Sequence, residues 1–238
     1  MRIVIAGPPK TGNVWFKCLL ASVYDLRPLG PKLTPERPQL DLFRAWVARG
    51  GFKDGSIFHQ HYDYSDELAD AIEATPARIV TIVRDPYDAF VSSYFTIQGH
   101  ADDERRRENL SMAMVGKPLD HPDVLAYLRD GYDRQMAKAA AWMHAGRALV
   151  VRYEALHRDP IGALTRLTER LAPVPPERLA AAVEACSAEN MRKLGPGKAK
   201  HVRAAVVGDS VGRLTEAHLA IMRECHADAI RRLGYEVR

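Results

Sequence analysis

A short loop near the start of the chain combines one lysine, one threonine and two glycines. It reads Gly7-Pro8-Pro9-Lys10-Thr11-Gly12-Asn13-Val14-Trp15 and lies between the apolar run Arg2–Ala6 and an amphipathic run. The first N–H groups of a helix have no intrahelical acceptor, and the positive end of the helix dipole lies beside them. A loop that leads from a strand into a helix start therefore predicts a site for an anion.

The order of residues in this loop differs from that of a Walker phosphate loop. Gly7 and Gly12 have the Walker spacing, but Asn13 and Val14 occupy the positions of the Walker lysine and hydroxyl residue. The lysine of this loop, Lys10, precedes Gly12 and would reach a phosphate from the strand side. For this segment alone, an ordinary strand-to-helix turn with an exposed lysine remains the alternative.

A second candidate for anion binding is the pair Arg84 and Ser92, eight residues apart. Arg84 ends a strongly β-branched run, and ligands bind at the carboxyl ends of the strands in open α/β sheets. A guanidinium fork with a hydroxyl from the following helix would suit a phosphate. The alternative is that Arg84 pairs locally with Asp85 and that Ser92 lies on a helix surface.

A candidate base is provided by the histidines His59 and His61, which alternate along a predicted strand and would share one face. A neutral histidine, with an ordinary pKa of about 6.5, can accept the proton of an alcohol or phenol, a contribution of about 10²- to 10⁴-fold in rate. A packed core histidine and a His-x-His metal pair are the alternatives. The sequence has no convincing third ligand, and we expect no metal.

These candidates require a parallel sheet that brings them to one edge. Short apolar runs alternate with helical patterns, which predicts an α/β fold with a central parallel sheet flanked by helices. The patterns predict strands at residues 2–6, 56–61, 78–83 and 148–151, and helices at 14–24, 66–74, 87–97, 130–144 and 215–233, with a proline-rich connection at 28–38, a charged stretch at 101–109 and a turn at 194–197. No shift in composition divides the chain, and we expect one domain over residues 1–238.

Composition limits the kinds of ligand and setting. The 34 basic and 30 acidic residues give a net charge of +4, which suits an anionic ligand but is too small and too evenly spread to indicate nucleic acid. Cys18, Cys186 and Cys225 are isolated, which predicts neither a disulfide framework nor a zinc site and favours a reduced, cytoplasmic setting. Neither a signal-peptide pattern nor an apolar run near the ~20 residues of a membrane span is found.

Taken in order, these segments resemble sulfotransferases that use 3′-phosphoadenosine 5′-phosphosulfate (PAPS). The loop Pro9-Lys10-Thr11-Gly12-Asn13-Val14-Trp15 is similar to the family's 5′-phosphosulfate loop, usually Pro-Lys-Ser/Thr-Gly-Thr-Thr-Trp, and Val83 to Ser92 resembles its 3′-phosphate motif. Val151-Arg152-Tyr153-Glu154-Ala155-Leu156 is similar to the family's strand ending in Tyr-Glu-Asp-Leu. Arg203, five residues before Gly208-Asp209, resembles the segment that closes over the 3′-phosphate. The resemblance extends from Ile3 to about Leu214.

The resemblance implies a P-loop-like three-layer sandwich as the fold. It also implies transfer of a sulfuryl group from PAPS to a hydroxyl of a small molecule, with release of 3′-phosphoadenosine 5′-phosphate (PAP) and without a metal. His61 matches the family's catalytic histidine, His59 falls where many members carry a lysine, and Lys10 would neutralise charge on the leaving phosphate. The residues implied to bind the nucleotide are Lys10, Thr11, Gly12, Asn13, Val14, Trp15, Arg84, Ser92, Tyr153, which would contact the adenine, and Arg203.

The chain departs from the family at several of these positions. Asn13 and Val14 replace two threonines, Ala204 and Ala205 replace a Lys-Gly pair, and Ser210 replaces a tryptophan. In addition, Ala188 occupies a position where many members place an aromatic residue against the adenine.

Two other functions are compatible with the sequence. One is a P-loop-type phosphotransferase or kinase that binds ATP with magnesium, and the other is a catalytically idle nucleotide-binding protein. The acceptor pocket is predicted to be lined by residues 28–38, the stretch around His61 and residues 96–118. The oligomeric state is left open, a homodimer included.

Overall fold

The sheet of this protein lies at its centre and is parallel, as predicted. The computed structural model describes residues 1–32, 38–99, 112–193 and 206–238. Within these ranges five strands pair in the order β2-β3-β1-β4-β5, all parallel. The strands are β1 (Arg2–Ala6), β2 (Arg27–Pro28), β3 (Ser56–Gln60), β4 (Ala77–Val83) and β5 (Leu149–Arg152).

Helices follow most of the strands and cover both faces of the sheet. In chain order they are α1 (Asn13–Tyr24), α2 (Gln39–Ala48), α3 (Asp66–Glu73), α4 (Pro86–Gln98), α5 (Pro122–Asp130), α6 (Asp133–His144), α7 (Tyr153–Arg158), α8 (Pro160–Leu171), α9 (Pro176–Ala185), α10 (Ala188–Lys193) and α11 (Glu216–Arg232), with a 3₁₀ turn at Met112–Met114. The sequence had predicted neither β2 nor α2. None of the described helices is long and apolar enough to cross a membrane.

The residues of β1 alternate between two hydrophobic layers because successive side chains of a strand point to opposite faces. Ile3 and Ile5 are fully buried in a cluster formed with α1, α8 and α9. Val4 and Ala6 belong to a cluster on the other face, formed with α2, α3 and Trp142 of α6. A strand that is buried on both faces is typical of a parallel sheet, and it explains the continuous apolar run.

A third hydrophobic cluster lies beyond the edge of the sheet at α4, α5, α6 and α11. Its fully buried members include Phe90, Leu128 and Ile230, one from each of three helices. This cluster holds α4 against the rest of the molecule, and α4 carries the residues that follow Arg84.

The register of the sheet places the ends of four strands side by side. Ala6 is paired with Gln60, and Val83 with Arg152, while β1 lies between β3 and β4. The residues that follow these strands, Gly7, His61, Arg84 and Tyr153, therefore meet at one edge, as expected for ligand sites in open α/β sheets.

The predicted helix over residues 130–144 is wrong at its start. Asp130 ends α5, and α6 begins only at Asp133. Between them Gly131 caps α5, and the fully buried Tyr132 donates its hydroxyl to the main-chain oxygen of Pro86, at 2.7 Å. This long-range contact breaks the helical run.

The expectation of isolated cysteines is also wrong for two of the three. Cys18 of α1 and Cys186, which caps α9, form a disulfide, with their Cα atoms 6.1 Å apart at a sequence separation of 168. The fold packs α1 against α9, and this packing brings the two side chains together. Cys225 is exposed and free.

Several predicted segments lie outside the described residues. They are the charged stretch at 101–109, the turn at 194–197 and residues 33–37 of the connection at 28–38, together with the predicted nucleotide ligand Arg203 and its neighbours Ala204 and Ala205.

Candidate active site

The loop between β1 and α1 has the backbone conformation of an anion site. The φ angle is positive at Gly7, Lys10 and Gly12, at 154°, 68° and 99°. A Cβ atom on Gly12 would lie 2.7 Å from Cδ2 of Tyr153, so a glycine is required there for the close approach of the ring as well as for the backbone angle.

Side chains of the same loop hold it closed. The Thr11 hydroxyl and the Asn13 side-chain amide both donate to the main-chain oxygen of Pro8, at 3.2 and 2.8 Å. Phe16 N–H bonds to the oxygen of Gly12, at 2.9 Å, which starts the ladder of α1. The N–H groups of Asn13, Val14 and Trp15 precede that bond in the first turn, where helix geometry leaves them without intrahelical acceptors.

Arg84, directly after β4, reaches into this loop. Its guanidinium donates to the main-chain oxygens of Lys10 and Val206, at 3.3 and 3.1 Å, and lies over the ring of Tyr153, at 4.4 Å from Cζ to the ring centroid. The side chain is 9% exposed, and its Nε is buried without a hydrogen-bond partner among the described residues. A buried cationic donor with unused hydrogen-bonding capacity suits an anionic ligand.

Asp88 of α4 joins Arg84 to the segment that follows residue 205. Its carboxylate, 1% exposed, accepts from the main-chain N–H groups of Gly208 and Ser210, at 2.7 and 2.9 Å. Its other neighbour is the guanidinium of Arg84, at 3.9 Å. Asp88 therefore fixes the far wall of the site to the helix that follows β4.

Sequence reasoning missed Asp88 and also Glu154. The Glu154 carboxylate accepts from the N–H of Asp85, at 2.8 Å, and from the hydroxyl of Tyr235, at 2.9 Å, which links the ends of β4 and β5. The only sequence signal for Asp88 was a carboxylate four residues after Arg84, the helical spacing for an ion pair.

Tyr153 and Trp15 form the aromatic wall of the loop. Tyr153 is 5% exposed, and its ring meets that of Trp15 edge-on, with centroids 5.9 Å apart. The indole N–H of Trp15 donates to the main-chain oxygen of Cys186, at 3.1 Å. The Trp15 side chain thereby connects the disulfide to the loop between β1 and α1.

Ser92 lies one turn beyond Asp88 on the same face of α4, by the i,i+4 geometry of a helix. It is half-buried, and its main-chain oxygen accepts from the Thr96 hydroxyl, at 2.9 Å. Its place on the face that carries Asp88 is compatible with a role beside Arg84, which stays a prediction.

His61 contacts the loop between β1 and α1 directly. Its Nδ1 lies 3.1 Å from the main-chain oxygen of Gly7. Since a carbonyl oxygen can only accept, Nδ1 carries the hydrogen, and Nε2 is the nitrogen with the free lone pair. Burial, with smaller effects of the charges on Lys138 and Lys10, lowers the pKa of His61 to about 4, so the ring is neutral near pH 7.

β3 ends at Gln60, so the strand is one residue shorter than predicted and His61 directly follows it. The rings of His59 and His61 meet edge-on, with their centroids 5.8 Å apart. The structure thus brings the two histidines together, and the charge of Lys10 acts on His61.

One further observation concerns the alternative of a metal site, and another concerns a second groove. Among the described residues, no group of three or more His, Cys, Asp or Glu side chains could hold a metal ion. A separate groove, lined in part by Arg27, Lys53 and Asp54, opens at the amino-terminal ends of β2 and β3 and carries none of the candidate residues.

Known proteins resemble this chain in sequence and in fold. Residues 59–173 match the sulfotransferase family. Cytosolic sulfotransferase 3 of Arabidopsis thaliana is 24% identical over 245 residues, which cover 90% of this chain and 71% of the relative.

Two solved structures have the same fold. A mouse sulfotransferase complexed with PAP superposes with a TM-score of 0.72 at 18% identity, over 97% of this chain and 84% of that one. Retinol dehydratase in complex with androsterone and PAP gives 0.65 at 15% identity, over 100% and 82%. The family match over residues 59–173, the relative in sequence and the shared fold make this chain similar to sulfotransferases, in agreement with the residues that converge on the loop after β1.

Proposed function

We propose that this enzyme transfers a sulfuryl group from PAPS to a hydroxyl of a small-molecule acceptor, with His61 as general base. The observation that carries the proposal is the contact between His61 Nδ1 and the oxygen of Gly7, at 3.1 Å. It places a neutral histidine beside the first residue of the loop that would bind the anion. Both follow strands that end side by side at one edge of the sheet.

The described residues fit a nucleotide with phosphates at both ends. The N–H groups at the start of α1 and the ammonium of Lys10 would hold the 5′-phosphosulfate, with Thr11, Gly12, Asn13 and Val14. Arg84, with Ser92, would hold the 3′-phosphate, since its Nε retains an unused donor. Tyr153 and Trp15 would lie beside the nucleotide, and Arg203 would add a cation. The PAP in the neighbouring structures supports this choice of nucleotide.

The chemistry resembles phosphoryl transfer, in which attacking and leaving oxygens lie in line. The acceptor hydroxyl gives its proton to Nε2 of His61, and its oxygen forms a bond to sulfur. The bond between sulfur and the 5′-phosphate oxygen breaks, and PAP leaves with the electron pair. Lys10 and the loop N–H groups would stabilise the negative charge that develops on that oxygen. No step requires a metal.

Turnover tests the role of His61. Labelled sulfate from PAPS, offered with a panel of phenols, sugars and alcohols, should appear in at least one acceptor. His61→Gln should lower kcat by about 10²- to 10⁴-fold, the usual contribution of a general base, while PAP affinity stays within about twofold. His144→Gln, an exposed histidine at the end of α6, is the matched control. A wild-type rate in His61→Gln would place the base elsewhere.

The number of domains, the cellular setting and the oligomeric state of the protein are also matters of proposal. We infer that residues 1–238 form one domain and that the enzyme works in the cytoplasm, as the name of the Arabidopsis thaliana relative suggests for that protein. A homodimer remains an open expectation. A magnesium-dependent phosphotransferase would instead bind ATP with the metal, and an idle nucleotide-binding protein would bind PAP without turnover.

A further inference from the structure

Helix α6 carries a row of side chains that holds the three residues after β3. Arg134, Lys138 and Trp142 are spaced four residues apart and so lie on one face of the helix. Each of them contacts the segment His61-Tyr62-Asp63, which contains the candidate base. We call Arg134, Lys138 and Trp142 the α6 row.

The contacts of the α6 row replace the hydrogen bonds of the sheet. The ammonium of Lys138 donates to the main-chain oxygen of His61, at 2.5 Å, and the indole N–H of Trp142 donates to that of Tyr62, at 2.8 Å. Tyr62 and Trp142 are fully buried. Buried carbonyls that leave a sheet need new donors, and α6 supplies them at two consecutive residues.

Lys138 has a second partner, the carboxylate of Asp63 at 3.1 Å, and its side chain is only 12% exposed. Burying an ammonium is costly unless it is paired and hydrogen-bonded, and here both conditions are met. Lys138 therefore ties the main chain of His61 and the carboxylate of Asp63 to α6 at the same time.

His61 is held from two directions. Its ring is fixed by the oxygen of Gly7 in the loop between β1 and α1, and its main chain is fixed by Lys138 of α6. Three ionisable neighbours face it: Lys10 from the loop, Lys138 from α6 and His59 from β3, while Asp63 is paired with Lys138. Of these, the ammonium groups of Lys138 and Lys10 lower the pKa of His61, in addition to burial.

We propose that Lys138 is a positioning residue for sulfuryl transfer, which fixes the main chain of His61 and so keeps the ring aimed at the acceptor. The inference rests on the proposed function in one respect, that His61 is the base. Displacement of a catalytic group by about 1 Å can cost about 10²-fold in rate. A lysine that touches neither nucleotide nor acceptor would then control turnover.

The test compares three variants by kinetics and by NMR titration of the His61 ring. Lys138→Met removes the charge and the donor but keeps the length of the side chain, and Lys138→Arg restores both. Trp142→Phe removes the donor to Tyr62 but leaves the charge of Lys138 in place. Lys53→Met, an exposed lysine at the amino-terminal ends of the strands, is the matched control.

In Lys138→Met we expect kcat to fall by about 10- to 100-fold, the PAPS KM to change less than twofold and the His61 pKa to rise. Lys138→Arg should recover at least part of kcat, and Trp142→Phe should leave the His61 pKa where it is in the wild type. An unchanged kcat, an unmoved His61 pKa or an equal loss of PAP affinity would overturn the inference. Should the wild type fail to transfer sulfate, the proposed function fails, while the NMR titration still reports whether Lys138 acts on His61.

Discussion

The guanidinium of Arg84 and the imidazole of His61 are the two side chains on which the site depends most. Arg84 bonds to main-chain oxygens on two segments, at Lys10 and at Val206, and keeps one buried N–H without a described partner. His61 bonds to Gly7 through Nδ1 and is neutral near pH 7. Both are held mainly by main-chain contacts, so their positions depend on the fold rather than on each other.

The pH dependence of turnover follows from the environment of His61. Its pKa is lowered to about 4, first by burial, and only the neutral ring can accept a proton. Since kcat/KM reports the free enzyme, its acid limb should lie well below the ordinary histidine value of about 6.5. Bound PAPS adds negative charge, which favours the protonated ring, so the acid limb of kcat should lie above that of kcat/KM.

Rate profiles from about pH 3.5 to 9 with saturating and limiting PAPS would check both limbs. An acid limb of kcat/KM at about 6.5 or higher that disappears in His61→Gln would contradict the described environment of the ring.

At the scale of elements, α4 is coupled to the segment after residue 205 through Asp88. Its carboxylate, 1% exposed, accepts from two main-chain N–H groups, those of Gly208 and Ser210, and the bond from Ser210 is buried. Asp88→Asn replaces one acceptor oxygen by a donor, which leaves at least one of these N–H groups without a partner. An unsatisfied buried N–H costs about 1–3 kcal/mol.

We therefore expect Asp88→Asn to lower the free energy of unfolding by about 1–3 kcal/mol and to weaken PAP binding by about tenfold. Chemical denaturation and calorimetry would measure the two effects, and hydrogen exchange should become faster at Gly208 and Ser210. Asp133→Asn, an exposed aspartate in the first turn of α6, controls for the helix dipole. PAP affinity equal to that of the control would show that the segment is not coupled to the nucleotide site.

The elements themselves were largely predictable from the sequence, because their signals are local. The β-branched run before Arg84 gave β4, and Asp85-Pro86 gave the start of α4, where Asp85 accepts from the N–H of Tyr87 at 2.8 Å. The break between α5 and α6 was missed, since it depends on the contact of Tyr132 with Pro86, 46 residues away. The two-residue strand β2 was too short for a periodic pattern.

The candidate site was predictable in its motifs but not in its supports. Lys10, Arg84 and His61 each follow a strand, a position that a sequence pattern can reveal. The contacts that hold them come from remote parts of the chain, such as Lys138 to His61 across 77 residues and Asp88 to Gly208 across 120. Neither pair produces a periodic pattern of residue types that could have predicted it.

At the scale of the whole molecule, one covalent link joins the beginning of the chain to its last third. The disulfide of Cys18 and Cys186 closes a loop of 168 residues and lies beside Trp15. Because a closed loop lowers the entropy of the unfolded chain, removing such a link typically costs about 2–5 kcal/mol. In the cytoplasmic setting that we propose, thiols are usually kept reduced, so the state of this pair would depend on the conditions.

We expect Cys18→Ser, or reduction of the wild type, to lower the free energy of unfolding by about 2–5 kcal/mol. Urea denaturation with and without dithiothreitol would measure the loss. The exposed Cys225 offers the control, since Cys225→Ser should behave as the wild type in both conditions. If dithiothreitol leaves the wild-type denaturation curve unchanged while mass spectrometry confirms reduction, the link does not stabilise the fold.

The central claim is that the loop after β1 and Arg84 together form a site for a nucleotide phosphorylated at both its 3′ and 5′ ends. Calorimetric titration in the presence of EDTA, with PAP and with adenosine 5′-phosphate, tests it most directly. We predict that PAP binds without metal and at least about tenfold more tightly than adenosine 5′-phosphate, and that Arg84→Gln removes this preference while Arg166→Gln, an exposed arginine of α8, retains it. Equal affinity for the two nucleotides, or tighter binding of ATP with magnesium, would contradict the account.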